Sequence, residues 1–306
     1  MKVLFVDTVD PMLKDMLEKK NYYCDTAYSK TKEEIEEIIH KYEGIIIRSR
    51  FKIDQKFIDK AINLKFIARA GSGLENINIS YANSKGIKCY NAAEGNKQAV
   101  AEHALGMLLS LFNNLTKCNN EIREGKWERE ANRGLELANK TVGIIGYGNN
   151  GSAFANLLTV FGVKILAYDK YLNKHPYQST MKEIYMQCDV ISLHIPLTKE
   201  TTYLIDNKCI NKFKKNIYLI NTSRGKCINT TDIISNMKIG KIKGVCLDVL
   251  ENEKISFERL NKENNPNIQY LIKSNKTILS PHVAGWTVES NTKIAKILLQ
   301  KITSLS

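Results

Sequence analysis

The 306-residue chain has no run of about 18 apolar residues, so neither a spanning helix nor a membrane partner is expected. Its seven cysteines lie scattered from Cys24 to Cys246, with no C-x-x-C pair among them. That spacing speaks against a disulfide framework and against a zinc site, and no metal is expected. The opening MKVLFVDTVD reaches an acid after a short apolar stretch and shows no small-residue cleavage site, so no signal peptide is read there. Together these gaps describe reduced, mostly buried thiols in a cytoplasmic protein. Tandem repeats, low-complexity tails and proline-rich linkers are also missing, with only five prolines in all.

The formal charge is +13, which raises the question of nucleic acid. The lysines are dispersed, no block of five or six basic residues occurs, and no reader motif is visible. No nucleic-acid partner is expected. A general positive field would instead help gather small anions.

What is present is an alternation. Short β-rich runs (KVLFVD, GIIIRSR, KFIARAG, KCYN, TVGIIGYG, KILAYD, DVISLHIP, IYLINTSRG, GVCLDVL, TILSPHVAG) are interleaved with amphipathic pieces such as TKEEIEEIIHKY, QKFIDKAI and TTDIISNMKIG. Continuous apolar strands alternating with helices predict parallel sheets covered on both faces, an α/β, doubly wound class. One long helical stretch, KQAVAEHALGMLLSLFNNLTKCNNEIREGKW, separates two sets of strands, each large enough for its own sheet. Two domains are therefore expected, divided near Asn96, with the closing helix ESNTKIAKILLQKITSLS packing back on the first.

The stretch GIIGYGNNG, after a strand and before a helix, has the form G-x-G-x-x-G. Gly146 would allow the tight turn, Gly148 the approach of a pyrophosphate, and Gly151 close packing of helix on strand, with Asn149 and Asn150 opening the helix. Helix N-termini offer unpaired N–H groups to phosphates. Asp169 ends KILAYD about 20 residues further on, where an acid binds ribose hydroxyls and repels a 2′-phosphate. The cofactor expected is NAD, with Lys170 leaving room for a relaxed choice.

Hydride transfer needs a proton carrier, and the chain has five histidines. His40 and His103 sit in helical patterns as surface or core residues, and His175 in an irregular loop. His194 in SLHIP and His282 in SPHVAGWT end strands, where open α/β sheets do their chemistry. Arg224 in NTSRG, and Asp248 and Glu253 in LDVLENE, also follow strands. As a set, Arg224 would clamp a carboxylate, His282 would take a hydroxyl proton, Glu253 would orient the imidazole, and Asp248 would line the nicotinamide side.

In their order, GIIGYGNNG, AYD, NTSRG, LDVLENE and SPHVAGWT resemble the motifs of the D-isomer-specific 2-hydroxyacid dehydrogenases. The likeness covers essentially the whole chain. It implies a flavodoxin-like substrate-binding domain over residues 1–97 plus 287–306, with a Rossmann NAD domain inserted over 98–286. It also implies a homodimer formed largely through the long helix after Asn96, and catalytic Arg224, Glu253 and His282. Cofactor contacts would include Ser72, Ile195, Pro196, Thr222, Ser223, Asp248, Ala284 and Gly285 besides the glycine turn. Two positions depart from the usual pattern: Asn150 replaces an apolar residue, and Lys254 replaces the proline after Glu253.

For the substrate, a small anionic 2-hydroxy or 2-oxo acid, the likeness assigns backbone N–H groups of Gly71, Ser72 and Gly73. Arg48 and Arg50 bracket Ser49 on a strand end, so period two would point both guanidiniums to one side. The RSR segment resembles the phosphate-binding segment of D-3-phosphoglycerate dehydrogenases, and Arg129 would join from a partner subunit. That implies oxidation of 3-phosphoglycerate to 3-phosphohydroxypyruvate, the first step of serine synthesis, by a short form without a regulatory domain or serine feedback through one. The alternatives are a glyoxylate or hydroxypyruvate reductase, a 4-phosphoerythronate dehydrogenase, or an NAD-sensing regulator.

Overall fold

The computed structural model describes residues 1–172, 174–251, 253 and 265–304. Lys254 lies outside the described residues. In chain order the elements are β1 (Lys2–Phe5), α1 (Pro11–Glu18), β2 (Tyr23–Thr26), α2 (Lys32–Ile38), β3 (Gly44–Ile47), α3 (Gln55–Lys60), β4 (Phe66–Arg69), α4 (Ile79–Ser84) and β5 (Lys88–Tyr90). Then follow α5 (Lys97–Phe112), α6 (Leu115–Arg123), β6 (Thr141–Ile145), α7 (Asn149–Leu158), β7 (Lys164–Tyr168), α8 (Met181–Gln187) and β8 (Val190–Leu193). The last are α9 (Asn207–Ile210), β9 (Ile217–Asn221), α10 (Thr230–Lys238), β10 (Ile242–Leu247), α11 (Pro266–Lys273), β11 (Thr277–Leu279) and α12 (Val288–Thr303).

Two compact units result. The first holds Met1–Lys97 and 286–304, the second Gln98–Glu253 and 265–285, among the described residues. The first contains a five-stranded parallel sheet in the order β2-β1-β3-β4-β5, the flavodoxin-like order. Period two divides its strands between two cores: Leu4, Ile45, Ile47 and Ile67 face one, and Val3, Phe5, Ile46, Phe66 and Ala68 face the other. Ile294, Leu298 and Ile302 of α12 cover the second face together with Leu13 and Leu17 of α1. A capping box fixes the start of α12, with Thr287 and Ser290 exchanging hydrogen bonds.

The second unit has a six-stranded parallel sheet, β11-β10-β9-β8-β6-β7. An isolated parallel bridge from Ala167 to Gln178 extends it past β7, so the order follows the doubly wound plan that reverses between β6 and β8. Its strands again feed two cores, Ile145, Ile191, Leu219 and Val245 on one side and Ile144, Val190, Ile220 and Cys246 on the other. No helix of the described residues is long and apolar enough to cross a membrane.

One strand was not read from the sequence and two expectations are corrected. The edge strand β2, YCDT, has no apolar alternation and exposes most of its length, so its pattern carried no strand signal. The long helical stretch after Asn96 is two helices, broken where Asn114 adopts φ 52°, the left-handed region that asparagine tolerates better than most residues. Third, the strands stop early: β3 at Ile47, β9 at Asn221 and β11 at Leu279. The residues that follow form turns.

Candidate active site

In open parallel sheets, ligands meet the carboxyl ends of the strands at the point where strand order reverses. In the second unit each such end carries a singled-out residue: Gly146 after β6, Asp169 after β7, His194 after β8, Arg224 after β9, Asp248 after β10 and His282 after β11.

The glycine turn has the shape a pyrophosphate needs. Gly146 takes φ 91°, and a Cβ there would stand 2.4 Å from the His194 carbonyl oxygen. A Cβ on Gly151 would stand 1.9 Å from the Gly146 carbonyl oxygen, so α7 crosses the turn in contact with it. Above Gly148 nothing lies within 4 Å. No side chain caps α7, which leaves its first N–H groups and positive dipole end to an anion. Buried polar atoms without partners gather on the same loops: Asn150 Oδ1, His194 Nδ1 and Thr222 Oγ1. Such atoms are costly unless a ligand satisfies them. These residues fit a bound dinucleotide.

Asp169 accepts from the N–H of Tyr147 at 2.7 Å through Oδ2, and from Tyr171 and Leu172 at 2.8 and 3.0 Å through Oδ1. Burial alone would raise its carboxyl, but these three donors outweigh burial and hold the group below the usual carboxylate range. Each oxygen keeps acceptor capacity for ribose hydroxyls. Lys170, beside it, pairs with Glu200. His175 stacks on Tyr147 at 4.0 Å between centroids, and burial lowers its pKa against the pull of Asp169.

His194 is enclosed: its Nε2 shares a hydrogen bond with Ser192 Oγ at 2.8 Å, Phe154 lies 5.4 Å away, and burial pushes its pKa down to about 4. A neutral imidazole bound within its own strand is a wall, not a proton carrier. Ile195 and Pro196 continue the chain from it.

His282 is the other strand-end imidazole. Its Nδ1 lies 2.7 Å from Glu253 Oε2, with the two side chains 20% and 15% exposed. A carboxylate can only accept, so Nδ1 carries the hydrogen and the lone pair falls on Nε2. Glu253 is itself steered by the Leu250 N–H, which donates to Oε1. Arg224 follows β9 in the turn after Asn221, and β9 neighbours β10 as β10 neighbours β11. Its Nη1 donates to the Ser223 carbonyl at 2.7 Å, while Asn221 and Ser223 brace the turn, Ser223 Oγ donating to Asn221 Oδ1 at 2.8 Å. Arg, Glu and His thus come from the tips of three adjacent strands in one unit.

Asp248, expected to line the nicotinamide side, is held by the loop that carries His282. It is buried, and its oxygens accept from Ser280 Oγ, the Val283 N–H and the Ala284 N–H at 2.6, 2.8 and 2.9 Å. His103, set aside as a bland helical residue, reaches the same group: its Nε2 is 2.8 Å from Ser280 Oγ. Only the strand-end position of Ser280 could have hinted at this contact. Gly285 follows Ala284 on the same loop.

In the first unit, the expectation that Arg48 and Arg50 share one face fails, because both lie beyond the end of β3 in a bend. Asp7 Oδ2 accepts from the N–H groups of Arg48 and Arg50 at 2.6 and 3.3 Å, closing that bend around Ser49. Arg50 donates to the carbonyls of Val6, Ala27 and Lys30 at 2.7, 3.0 and 2.5 Å. Arg48 instead lies over the ring of Trp286, 3.8 Å from its centroid. In the loop after β4, the N–H groups of Ala70 and Gly71 are bonded to Ile47 and Arg69 at 2.8 and 2.9 Å. Among the described residues those of Ser72 and Gly73 have no such bond. Ser72 Oγ donates to Asn96 Oδ1 at 2.7 Å. Arg129 is exposed on the segment after α6.

Residues 105–284 match the family model of the D-isomer-specific 2-hydroxyacid dehydrogenase NAD-binding domain. The chain is 32% identical over its whole length to the D-3-phosphoglycerate dehydrogenase of Archaeoglobus fulgidus, of which it spans 57%. It is 33% identical to the hydroxypyruvate reductase of Thermotoga maritima, with 97% of this chain and 95% of that protein covered. Among solved structures, the D-lactate dehydrogenase of Aquifex aeolicus, complexed with NAD and lactic acid, superposes with a TM-score of 0.86. It is 27% identical, with 100% of this chain and 95% of that one covered. With a glycine turn shaped for a dinucleotide and a His–Glu pair and an arginine following neighbouring strands of one sheet, this chain belongs to the D-isomer-specific 2-hydroxyacid dehydrogenase family.

Proposed function

We propose that the protein oxidises a D-2-hydroxy acid with NAD, and that this acid is D-3-phosphoglycerate, converted to 3-phosphohydroxypyruvate. The observation that carries the reading is the 2.7 Å pair of His282 and Glu253 at strand tips next to Arg224. NAD supplies the hydride acceptor for C2. His282 Nε2 takes the hydroxyl proton as hydride leaves, and Glu253 stabilises the imidazolium that forms. In reduction His282 returns that proton. Arg224 offers a planar fork to the substrate carboxylate, which holds C2 in place.

Arg48 supports the phosphate. Its guanidinium carbon lies over the Trp286 ring, 3.8 Å from the centroid, a contact that limits the motion of a planar cation offered to an anion. Arg50 does not add to it, because its donors meet three carbonyls. That engagement favours a second reading, reduction of unphosphorylated hydroxypyruvate, as does the nearly full-length likeness to the reductase. NAD reduction measured with D-3-phosphoglycerate and with D-glycerate separates the two. For the phosphorylated acid, Arg48→Ala should lower kcat/KM by about tenfold to a hundredfold, the worth of a hydrogen bond to a charged group. For D-glycerate the change should be small. Equal losses on both acids would contradict the phosphate assignment.

We also infer a homodimer. Helix α6 buries none of its residues, Leu115 and Ile122 on it are 55% and 51% exposed, and Trp127 beyond its end is 78% exposed, exposed apolar area of the kind found at interfaces. Sedimentation of the purified chain should give the mass of two copies; a monomer at micromolar concentration would overturn this. The seven free thiols, four of them buried, support a reducing, cytoplasmic setting.

A further inference from the structure

Behind the loop that carries His282 lies a polar network centred on a buried carboxylate, with no part in the chemistry just described. Asp248 is 1% exposed. Its oxygens accept from Ser280 on one side of His282 and from Val283 and Ala284 on the other. Its carbonyl accepts the His282 N–H at 2.7 Å. One residue therefore ties down the whole 280–284 segment. The hold has something to work against, since His282 sits at φ 56°. A non-glycine residue there costs about 1 kcal/mol or more and persists only where its surroundings over-determine it.

The network is completed from α5. His103 Nε2 stands 2.8 Å from Ser280 Oγ and 3.5 Å from Asp248 Oδ1. Ser280 has a single proton, given to Asp248 across 2.6 Å, so its oxygen accepts from the imidazole and His103 bears hydrogen on Nε2. Met107, one turn along the same helix, places its Sδ 3.8 Å from Ser280 Oγ. A buried carboxylate that loses a donor is left with a desolvation cost it cannot recover.

We propose that His103 is a positioning residue: through Ser280 it completes the hydrogen bonding of Asp248, and so holds His282 at the angle from which it reaches the substrate. The inference rests on His282 being the acid–base group. The test compares the full-length wild type with His103→Leu, which removes the donor, and His103→Gln, whose Nε2 amide restores one. In His103→Leu, kcat should fall about tenfold or more, the scale of a small misplacement of a reacting group, with KM for NAD within about twofold of wild type. His103→Gln should recover most of that kcat. Hydrogen exchange at the Val283 and Ala284 amides should speed up in His103→Leu and not in His103→Gln. Ser280→Ala should repeat the loss, and adding His103→Leu to it should cost little more, as for two members of one chain of bonds. Unchanged exchange in His103→Leu, equal kcat losses in the Leu and Gln variants, or additive losses in the double variant would overturn the proposal. Should no D-2-hydroxy acid be turned over at all, the reading of His282 fails, and the exchange comparison still decides whether His103 holds the loop.

Discussion

Replacing His282 by alanine should lower kcat by about a thousandfold, within the range that a positioned general acid–base group contributes. KM for NAD should change little, because the glycine turn and Asp169 lie on other loops of the same unit. The reason is geometric. His282 Nδ1 is bonded to Glu253 at 2.7 Å, so in the proposed reaction Nε2 is the atom that takes the proton. The other strand-end imidazole cannot substitute, since His194 is bonded within its own strand and its pKa is pushed down to about 4. Glu253→Gln should cost less, about tenfold to a hundredfold. The amide keeps the shape and can still accept from Nδ1, but it lacks the charge that stabilises the imidazolium. Steady-state rates of NAD reduction with a panel of D-2-hydroxy acids check both. A His282→Ala enzyme that retained a tenth of the wild-type rate would show that the proton leaves by another route.

Gly151→Ala should destabilise the second unit by about 3 kcal/mol, the upper end for forcing extra volume into a packed contact. The new methyl would stand 1.9 Å from the Gly146 carbonyl oxygen and 3.2 Å from the Ile144 side chain. Neither neighbour can retreat cheaply. Gly146 is held at φ 91° and bonded by its N–H to the Tyr168 carbonyl at 2.8 Å, and Ile144 lies within the core. The helix must therefore move away from the turn, taking with it the N–H groups offered to the pyrophosphate. In a domain of this size the melting temperature should fall by about 6–12 °C, and NAD should protect the variant less than it protects wild type. Thermal melts with and without NAD give both quantities. A melt within a degree of wild type would mean that helix and turn are not in the contact described.

Gly148 makes a useful contrast. Nothing lies within 4 Å of its missing Cβ, so the same substitution there crowds no atom of the protein. Its cost would fall on the approach of a phosphate instead. The spacing of the motif thus encodes three separate demands, and the contacts around each glycine match the division that the motif implies.

Much of the site was legible because its residues sit at strand ends in fixed order. A glycine turn after one strand and an acid after the next are local patterns with a physical cause. NTSRG and SPHVAG could likewise be singled out, since an arginine or histidine next to glycine or proline at the end of an apolar run has little structural purpose. What was not legible was side-chain destination. Arg48 and Arg50 are indistinguishable by position, yet Asp7 closes the bend so that one lies on Trp286 and the other on backbone carbonyls. His103 lies 177 residues from Ser280 in the chain and touches it. That Asp248 anchors the His282 loop through the Val283 and Ala284 N–H groups is also not written in its neighbourhood in the chain.

By itself the sequence determined the α/β class, the parallel sheets and the loops on which chemistry could occur. Hydrophobic periodicity and turn residues act over a few positions, and those effects are written in neighbouring letters. Tertiary structure alone decided where each strand gave way to a turn, which arginine came to lie over Trp286, and which imidazole met a carboxylate, a strand serine or a distant serine. Those outcomes depend on burial and on hydrogen-bond partners brought together from distant segments, and no local pattern records them.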